Sequence, residues 1–160
     1  MNRLLRRETG RLAIDALLEK KHLEQVAANV EHAELLIERA RRHVASAATL
    51  RDDDPDQAFT SAYDAARKSL TACLAVQGLR PTSRGGHLAV YEAAMAQFDP
   101  PLGAKIKPFD WMRRMRNDSE YPDFDTPEIT ADDVDAAAAA AGLMIDLSAR
   151  LVGTLPPYRR

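Results

Sequence analysis

Apolar positions recur at spacings of three and four through nearly every segment of the chain, which is the period of a helix. Leu4, Leu5, Leu12, Leu17, Leu18 and Leu23 predict a helix over about 3–26, interrupted near Thr9-Gly10. Asn29 then reads as an N-cap, with Glu31 facing the positive end of the helix it opens. That helix runs to about Leu50 on a stripe of Leu36, Ala40, Val44, Ala47 and Leu50, and the acidic stretch Asp52-Asp53-Asp54-Pro55-Asp56 ends it. A second long helix spans about 56–78. Phe59, Tyr63, Ala66, Leu70 and Cys73 lie on one face, an Asp64–Lys68 pair at i,i+4 on the other, and Gly78 is the stop. Residues 79–86 read as a loop. A third helix over 87–98 carries Leu88, Tyr91, Met95 and Phe98, and Asp99-Pro100-Pro101-Leu102-Gly103 breaks it.

A fourth helix, about 107–120, has Trp111, Met112 and Met115 on its apolar side and stops before Pro122. The residue ahead of a proline is pushed out of the α region, so Tyr121 should swing off the helix axis. The last helix opens with a capping box at Thr130-Ala131-Asp132-Asp133. It continues through Val134, Ala138, Ala141, Ile145 and Val152, and Pro156-Pro157 closes the segment. Its alanine-rich face would let a neighbour approach closely. Short connections between long helices favour antiparallel neighbours. The expectation is an all-α, up-and-down bundle of about five helices, with a helical extension over 1–28, the bundle over 29–155 and a short tail over 156–160.

Composition sharpens this picture. With 46% hydrophobic and 29% charged residues in 160, the chain suits one globular domain. Twenty-eight alanines and only 7 glycines argue against a β-sandwich or barrel. The single Cys73 excludes an intramolecular disulfide and a multi-cysteine zinc site. No apolar run approaches the ~20 residues a membrane span needs. Met1-Asn2-Arg3-Leu4-Leu5-Arg6-Arg7-Glu8 is too charged for a signal peptide, and a cytoplasmic chain is expected. Residues 1–116 hold 19 bases and 15 acids, whereas 117–160 hold 3 and 9. A basic body with an acidic final segment suits a small positive cleft better than a coat for nucleic acid.

Candidate chemistry narrows quickly. His22, His32, His43 and His87 form no paired ligand set, and His32 and His43, eleven positions apart, stand about 16 Å from each other along one helix. Asp52, Asp54 and Asp56 start like an EF-hand loop, but Gln57 and Tyr63 occupy the places that need Gly and Glu. Arg84-Gly85-Gly86-His87 leads into a helix N-terminus and reads as a connection before it reads as a phosphate cradle. Cys73 lies on the apolar stripe and reads as core. No cofactor motif is present. One segment stands apart: Arg113-Arg114-Met115-Arg116-Asn117-Asp118-Ser119-Glu120-Tyr121-Pro122. It sets three arginines in four positions on an otherwise apolar helix. A charged helix end with an Arg116–Glu120 pair is one reading of it, and an anion-binding surface is the other.

Arg116-Asn117-x-x-x-Tyr121, late in a helical chain, resembles the signature of the HEPN superfamily, an Arg followed by a polar residue and, four to six positions on, a His. The resemblance extends to Ala62-Tyr63-Asp64-Ala65-Ala66-Arg67-Lys68, to Gly85-Gly86-His87 and to the order of the helices, over about 30–152. It implies a helical homodimer with both motifs facing one cleft, and a metal-independent RNA endonuclease, toxin or defence effector, paired with a nucleotidyltransferase-type antitoxin. In that scheme Arg116 contacts the scissile phosphate, Asn117 orients the Arg or the substrate, and Arg113 and Arg114 hold flanking phosphates. Tyr121 stands where the family has its acid–base His. Tyrosines titrate near 10 against about 6.5 for histidines, so a neutral phenol donates a proton but is a poor base. His87 takes that role if the fold brings it into the cleft. The replacement motivates a second reading: a catalytically silent dimer that binds nucleotide, RNA or a partner protein through the same cleft. A duplex-DNA repressor is a distant third, since no helix-turn-helix is evident.

Overall fold

Asn29 has an extended backbone, and its Oδ1 accepts the His32 N–H at 2.9 Å, so helix α2 (Val30–Leu50) starts where a free amide finds a side-chain acceptor. The computed structural model describes residues 7–160, with side chains from Gly10 onward; the predicted positions of Leu4 and Leu5 lie outside the described residues. Asp54 caps α3 (Pro55–Gln77) through Gln57 N–H at 3.2 Å, and Pro55 sits in the first turn, where no intrahelical N–H is missed. At the far end Gly78 takes φ +72 and returns its N–H to Leu74 and Ala75. The capping box of α7 (Ala131–Val152) is complete. Thr130 Oγ1 accepts Asp133 N–H at 3.2 Å, and Asp133 Oδ2 accepts Thr130 N–H at 2.9 Å.

Helix α3 is the centre of an all-α, up-and-down bundle, packed between α2 and α7. Phe59, Tyr63, Ala66, Leu70 and Cys73 are buried as the stripe requires, and so are Ala58, Ala62, Ala65 and Ala72 on its other faces. Ala40 and Ala47 of α2 and Ala137 and Ala141 of α7 meet it with side chains of one carbon, which allows close approach. Helices α4 (Gly86–Phe98) and α6 (Pro108–Glu120), with the single turn α5 (Gly103–Ile106) between them, close the other side. Arg51, just past α2, clamps Asp135 of α7 through two hydrogen bonds of 2.6 and 2.7 Å. Among the described residues no helix is long and apolar enough to cross a membrane.

Several local expectations need correction. Helix α1 (Arg7–Glu19) runs unbroken through Thr9-Gly10. Gly10 is the place where α1 approaches α4, since a Cβ there would meet the Ala96 carbonyl at 2.9 Å. The helix stops at Glu19, not near 26. Lys21 adopts φ +57, and the amides of Lys21 and His22 turn back to Leu18 and Leu17. This is a Schellman stop with lysine in the left-handed place that glycine usually takes, so composition hides it. Among the described residues of α1, Ile14 and Leu17 are buried along with Gly10, and Leu12 is 75% exposed.

Residues 23–25 form β1 (Leu23–Gln25), antiparallel to β2 (Leu79–Pro81), where a loop was expected. Leu23 and Leu79 are both buried there. In α4 the buried face is Ala89, Val90, Ala93, Ala94 and Phe98, while Leu88 is 42% exposed. The helix meets α1 and α3 through small residues, and its larger side chains flank that contact. Asp64 pairs with Arg67 at 3.6 Å rather than with Lys68. The chain ends against its own start: Tyr158 donates to Asp15 at 2.6 Å, and its backbone N–H reaches the Gln77 carbonyl.

Candidate functional site

Three helices bring their charged and aromatic residues to one place. Tyr63 and Arg67 are one helical turn apart on α3, and Phe109, Arg113 and Arg116 follow each other at spacings of four and three on α6. His87 is the second residue of α4. Tyr63 is fully buried and stacks on Phe109 with centroids 5.4 Å apart; Tyr91 stacks on the other side of Phe109 at 6.0 Å. This aromatic floor covers the Tyr63 ring on its core side. The Arg116 guanidinium carbon lies 5.9 Å from the Tyr63 ring centroid, within cation–π range.

The Tyr63 hydroxyl meets His87 Nδ1 at 2.6 Å. Burial pushes the Tyr63 phenol up to about 12 against the opposing pull of Arg67, Arg116 and Arg113, so it keeps its proton. His87 is lowered from the ordinary histidine value, first by burial and then by Arg67 and Arg116, with Asp64 opposing. A neutral imidazole beside a protonated phenol accepts at Nδ1 and carries its hydrogen on Nε2; the tautomer is assigned from this hydrogen bond.

The two guanidinium groups are incompletely satisfied. Arg116, with its side chain 25% exposed, reaches Glu120 at 3.2 Å and Asn117 Oδ1 at 3.4 Å, yet its Nε is buried without a partner. Arg67, 26% exposed, lies 3.6 Å from Asp64, and its Nε is likewise buried and unpartnered. An unmade hydrogen bond at a buried donor costs ~1–3 kcal/mol, more for a charged group. Arg116 lies against the Tyr63 ring, and Arg67 is the leading charge acting on both Tyr63 and His87, so the place is electropositive. The positive field extends along α3 and α2. Burial and Arg67 lower Lys68, while burial and Lys68 lower His43.

The structure sorts the residues of the arginine-rich segment. Arg113 bonds Asp110 at 2.9 Å and is among the charges acting on Tyr63 and His87. Arg114, 67% exposed, pairs with Asp110 from the outer side at 3.2 Å and acts on Tyr91 instead. Tyr121 does leave the helix axis. Its N–H closes α6 on the Asn117 carbonyl, its side chain is 81% exposed, and its hydroxyl bonds no described residue. Arg116 and Asn117 are therefore together, with His87 and Arg67 beside Arg116, while Tyr121 stands outside that group in this single chain. Both segments that supply Tyr63, Arg67 and His87 drew attention in the sequence, but only their meeting assigns them to one site.

Other candidates fall away on geometry. The amides of Gly85 and Gly86 are occupied by Thr82, so the Gly-Gly connection offers no phosphate cradle. Cys73 is buried, and burial raises its thiol to about 11. Among the described residues no three His, Cys, Asp or Glu side chains gather as a metal ligand set. A depression of about 480 Å³ between Leu18, Leu23, Thr82, Arg84 and Arg160 contains none of the site residues. Compared with known proteins, residues 33–151 match the family model described as HEPN domain. No curated protein and no solved structure matches the chain.

Proposed function

Starting from the fact that this chain belongs to the HEPN family, we propose that it is a metal-independent RNA endonuclease, acting in the cytoplasm as a homodimer and as a toxin or defence effector. The observation that carries this is Arg116: half-buried over an aromatic floor, flanked by Arg67 and Arg113, with a buried Nε–H that meets no protein acceptor. In the proposed reaction the ribose 2′-hydroxyl gives its proton to solvent, its oxygen attacks the adjacent phosphorus to form a 2′,3′-cyclic phosphate, and the bond to the 5′-oxygen breaks, that oxygen leaving as a hydroxyl. Negative charge grows on the non-bridging oxygens, where a pre-placed guanidinium is worth most because nothing must reorganise to meet it. Asn117, in contact with Arg116 at 3.4 Å, orients it. Tyr121 donates its proton to the departing oxygen across the dimer, and Arg113 and Arg114 hold neighbouring phosphates. Exposed Tyr121 and Phe124, three residues apart, supply an apolar surface for a second copy.

Purified protein is expected to cut single-stranded RNA in EDTA, and Arg116→Ala should lower the rate by ~10² or more. Cutting that is absent, or that survives Arg116→Ala, removes this reading. The exposed Tyr121 hydroxyl, where the family carries His, favours one other reading: a catalytically silent dimer that binds RNA, nucleotide or a nucleotidyltransferase-type antitoxin through the same surface. There Arg116→Ala weakens binding with no cleavage to lose.

A further inference from the structure

We propose that the outer edge of β1 is a docking strip for an extended acidic segment of a partner protein, which adds to it as a third strand and sets its carboxylates against Lys21 and Arg84. This rests neither on the arginine-rich segment nor on the RNA reading. Antiparallel pairing alternates residues that bond across the ladder with residues that point away from it. Val26 N–H donates to the Gly78 carbonyl at 2.8 Å, Thr82 N–H donates to the His22 carbonyl at 3.1 Å, and Glu24 stands opposite Arg80. Residues 22, 24 and 26 therefore face β2. The N–H and C=O groups of Leu23 and Gln25 face outward, and no backbone group meets them among the described residues. Unpaired amides and carbonyls in this alternation are a template for another strand.

The space beside that edge fits a peptide. The depression of about 480 Å³ is lined by Leu23, Glu24 and Gln25 in succession. Successive side chains of a strand point to opposite faces, so the depression follows the edge of β1 and not one face of the sheet. Leu18 and Leu23 give it an apolar part, and Lys21, Arg84 and Arg160 bring cations from three distant parts of the chain. Thr82 Oγ1 donates to the Lys21 carbonyl at 2.6 Å, which ties the turn after α1 to the loop that carries Arg84. Glu24 is held by Arg80 at 2.7 Å, and Arg160 by Glu19 at 3.0 Å. Lys21 and Arg84 pair with no carboxylate among the described residues. Lys21 stands at φ +57, where glycine would sit without strain, so its ammonium is kept beside the edge at a conformational cost. A second copy of the chain is the poorer occupant: the register that pairs Leu23 with Gln25 sets Glu24 directly opposite its own copy.

The probe is a fluorescein-labelled hexapeptide that alternates Asp or Glu with Val. Amide hydrogen exchange read by NMR needs no variant. In the free protein Glu24 and Val26 should exchange slowly and Leu23 and Gln25 fast, and saturating probe should slow Leu23 and Gln25 by at least about 10-fold. Fluorescence anisotropy is expected to show Lys21→Gly and Arg84→Gln each binding about threefold more weakly than the wild type and the double variant about 10-fold, with Arg150→Gln on α7 within about 1.5-fold. Lys21→Gly should melt no lower than the parent, since it removes a left-handed side chain, and its weaker binding is then not a loss of fold. Of two probes N-methylated at alternate residues, one should lose binding and the other keep it, because one set of amides faces β1.

No binding of the probe, binding that leaves the Leu23 and Gln25 amides as labile as before, or equal binding of the two methylated probes overturns strand addition. Leu23 and Gln25 amides already protected in the free protein, and released on dilution, would assign the edge to a second copy. A hexathymidylate that displaces the probe at equal concentration would make the depression a nucleic-acid contact. Either of these results also overturns the proposal.

Discussion

The same chemical change, glycine to alanine, should push stability in opposite directions at two positions of this fold. Gly78 ends α3 at φ +72, a left-handed conformation that costs an L-residue ~1–2 kcal/mol. A Cβ there would lie 2.6 Å from the Val26 carbonyl oxygen and 3.2 Å from the Ala28 nitrogen, both of them backbone. That backbone cannot easily yield. Val26 N–H donates to the Gly78 carbonyl at 2.8 Å, and Asn29 N–H donates to Ala75 at 2.9 Å just before α2 begins. Overpacking of this kind adds ~1–3 kcal/mol. Gly78→Ala should therefore cost about 2–5 kcal/mol and lower Tm by at least ~4 °C. Gly142 lies inside α7, and a Cβ built on it meets nothing within 4 Å. There alanine relieves the entropic penalty of a helical glycine, so Gly142→Ala should add ~1 kcal/mol and raise Tm by ~2–4 °C. Thermal unfolding followed by circular dichroism at pH 7.5 reads both. If Gly78→Ala melts within ~1 °C of the parent, the argument from left-handed geometry and backbone contact is wrong.

Three further expectations follow from the charge, burial and surface pattern. Burial and nearby cations hold His43 and His87 below the ordinary histidine value, so the unfolded chain binds more protons below about pH 6.5. The stability they contribute is complete above that pH and is lost as pH falls through it, so the urea midpoint should drop between pH 7.5 and 5.5; a midpoint constant over that range contradicts the assignment. The Cys73 thiol, buried and raised to about 11, should resist a disulfide reagent in native buffer and react at once in denaturant, and rapid native labelling would show that α3 opens. Phe124→Asp places a charge on the proposed dimer surface and should halve the mass seen by light scattering with the helical spectrum unchanged; a wild type that is already monomeric removes the dimer.

Much of the secondary structure was legible because its signals are short-ranged. Asn29, Asp54-Pro55, Gly78 and the Thr130–Asp133 box act through hydrogen bonds to residues within four positions, so their meaning is present in the string itself. The stripe of α3 was legible because its large apolar residues recur at helical spacing, and those are the residues that are buried. Helices α1 and α4 were harder. Their buried faces mix large residues, Ile14 and Leu17 or Val90 and Phe98, with small ones, Gly10 or Ala89, Ala93 and Ala94, and the small ones carry little signal in a hydrophobic pattern. The Lys21 stop carried no compositional mark, and β1 finds its partner 56 positions away, at β2.

The local string was enough to establish a helical chain and an arginine-rich helix end ahead of Pro122. It could not establish which cations share a site. Arg113, Arg114 and Arg116 are adjacent in the chain, yet Arg114 points outward, while Arg116 joins Arg67 and His87 across the Tyr63 ring. Helical pitch separates sequence neighbours onto different faces, and only the packing of α3, α4 and α6 around one aromatic floor gathers residues that are distant in the chain about Tyr63.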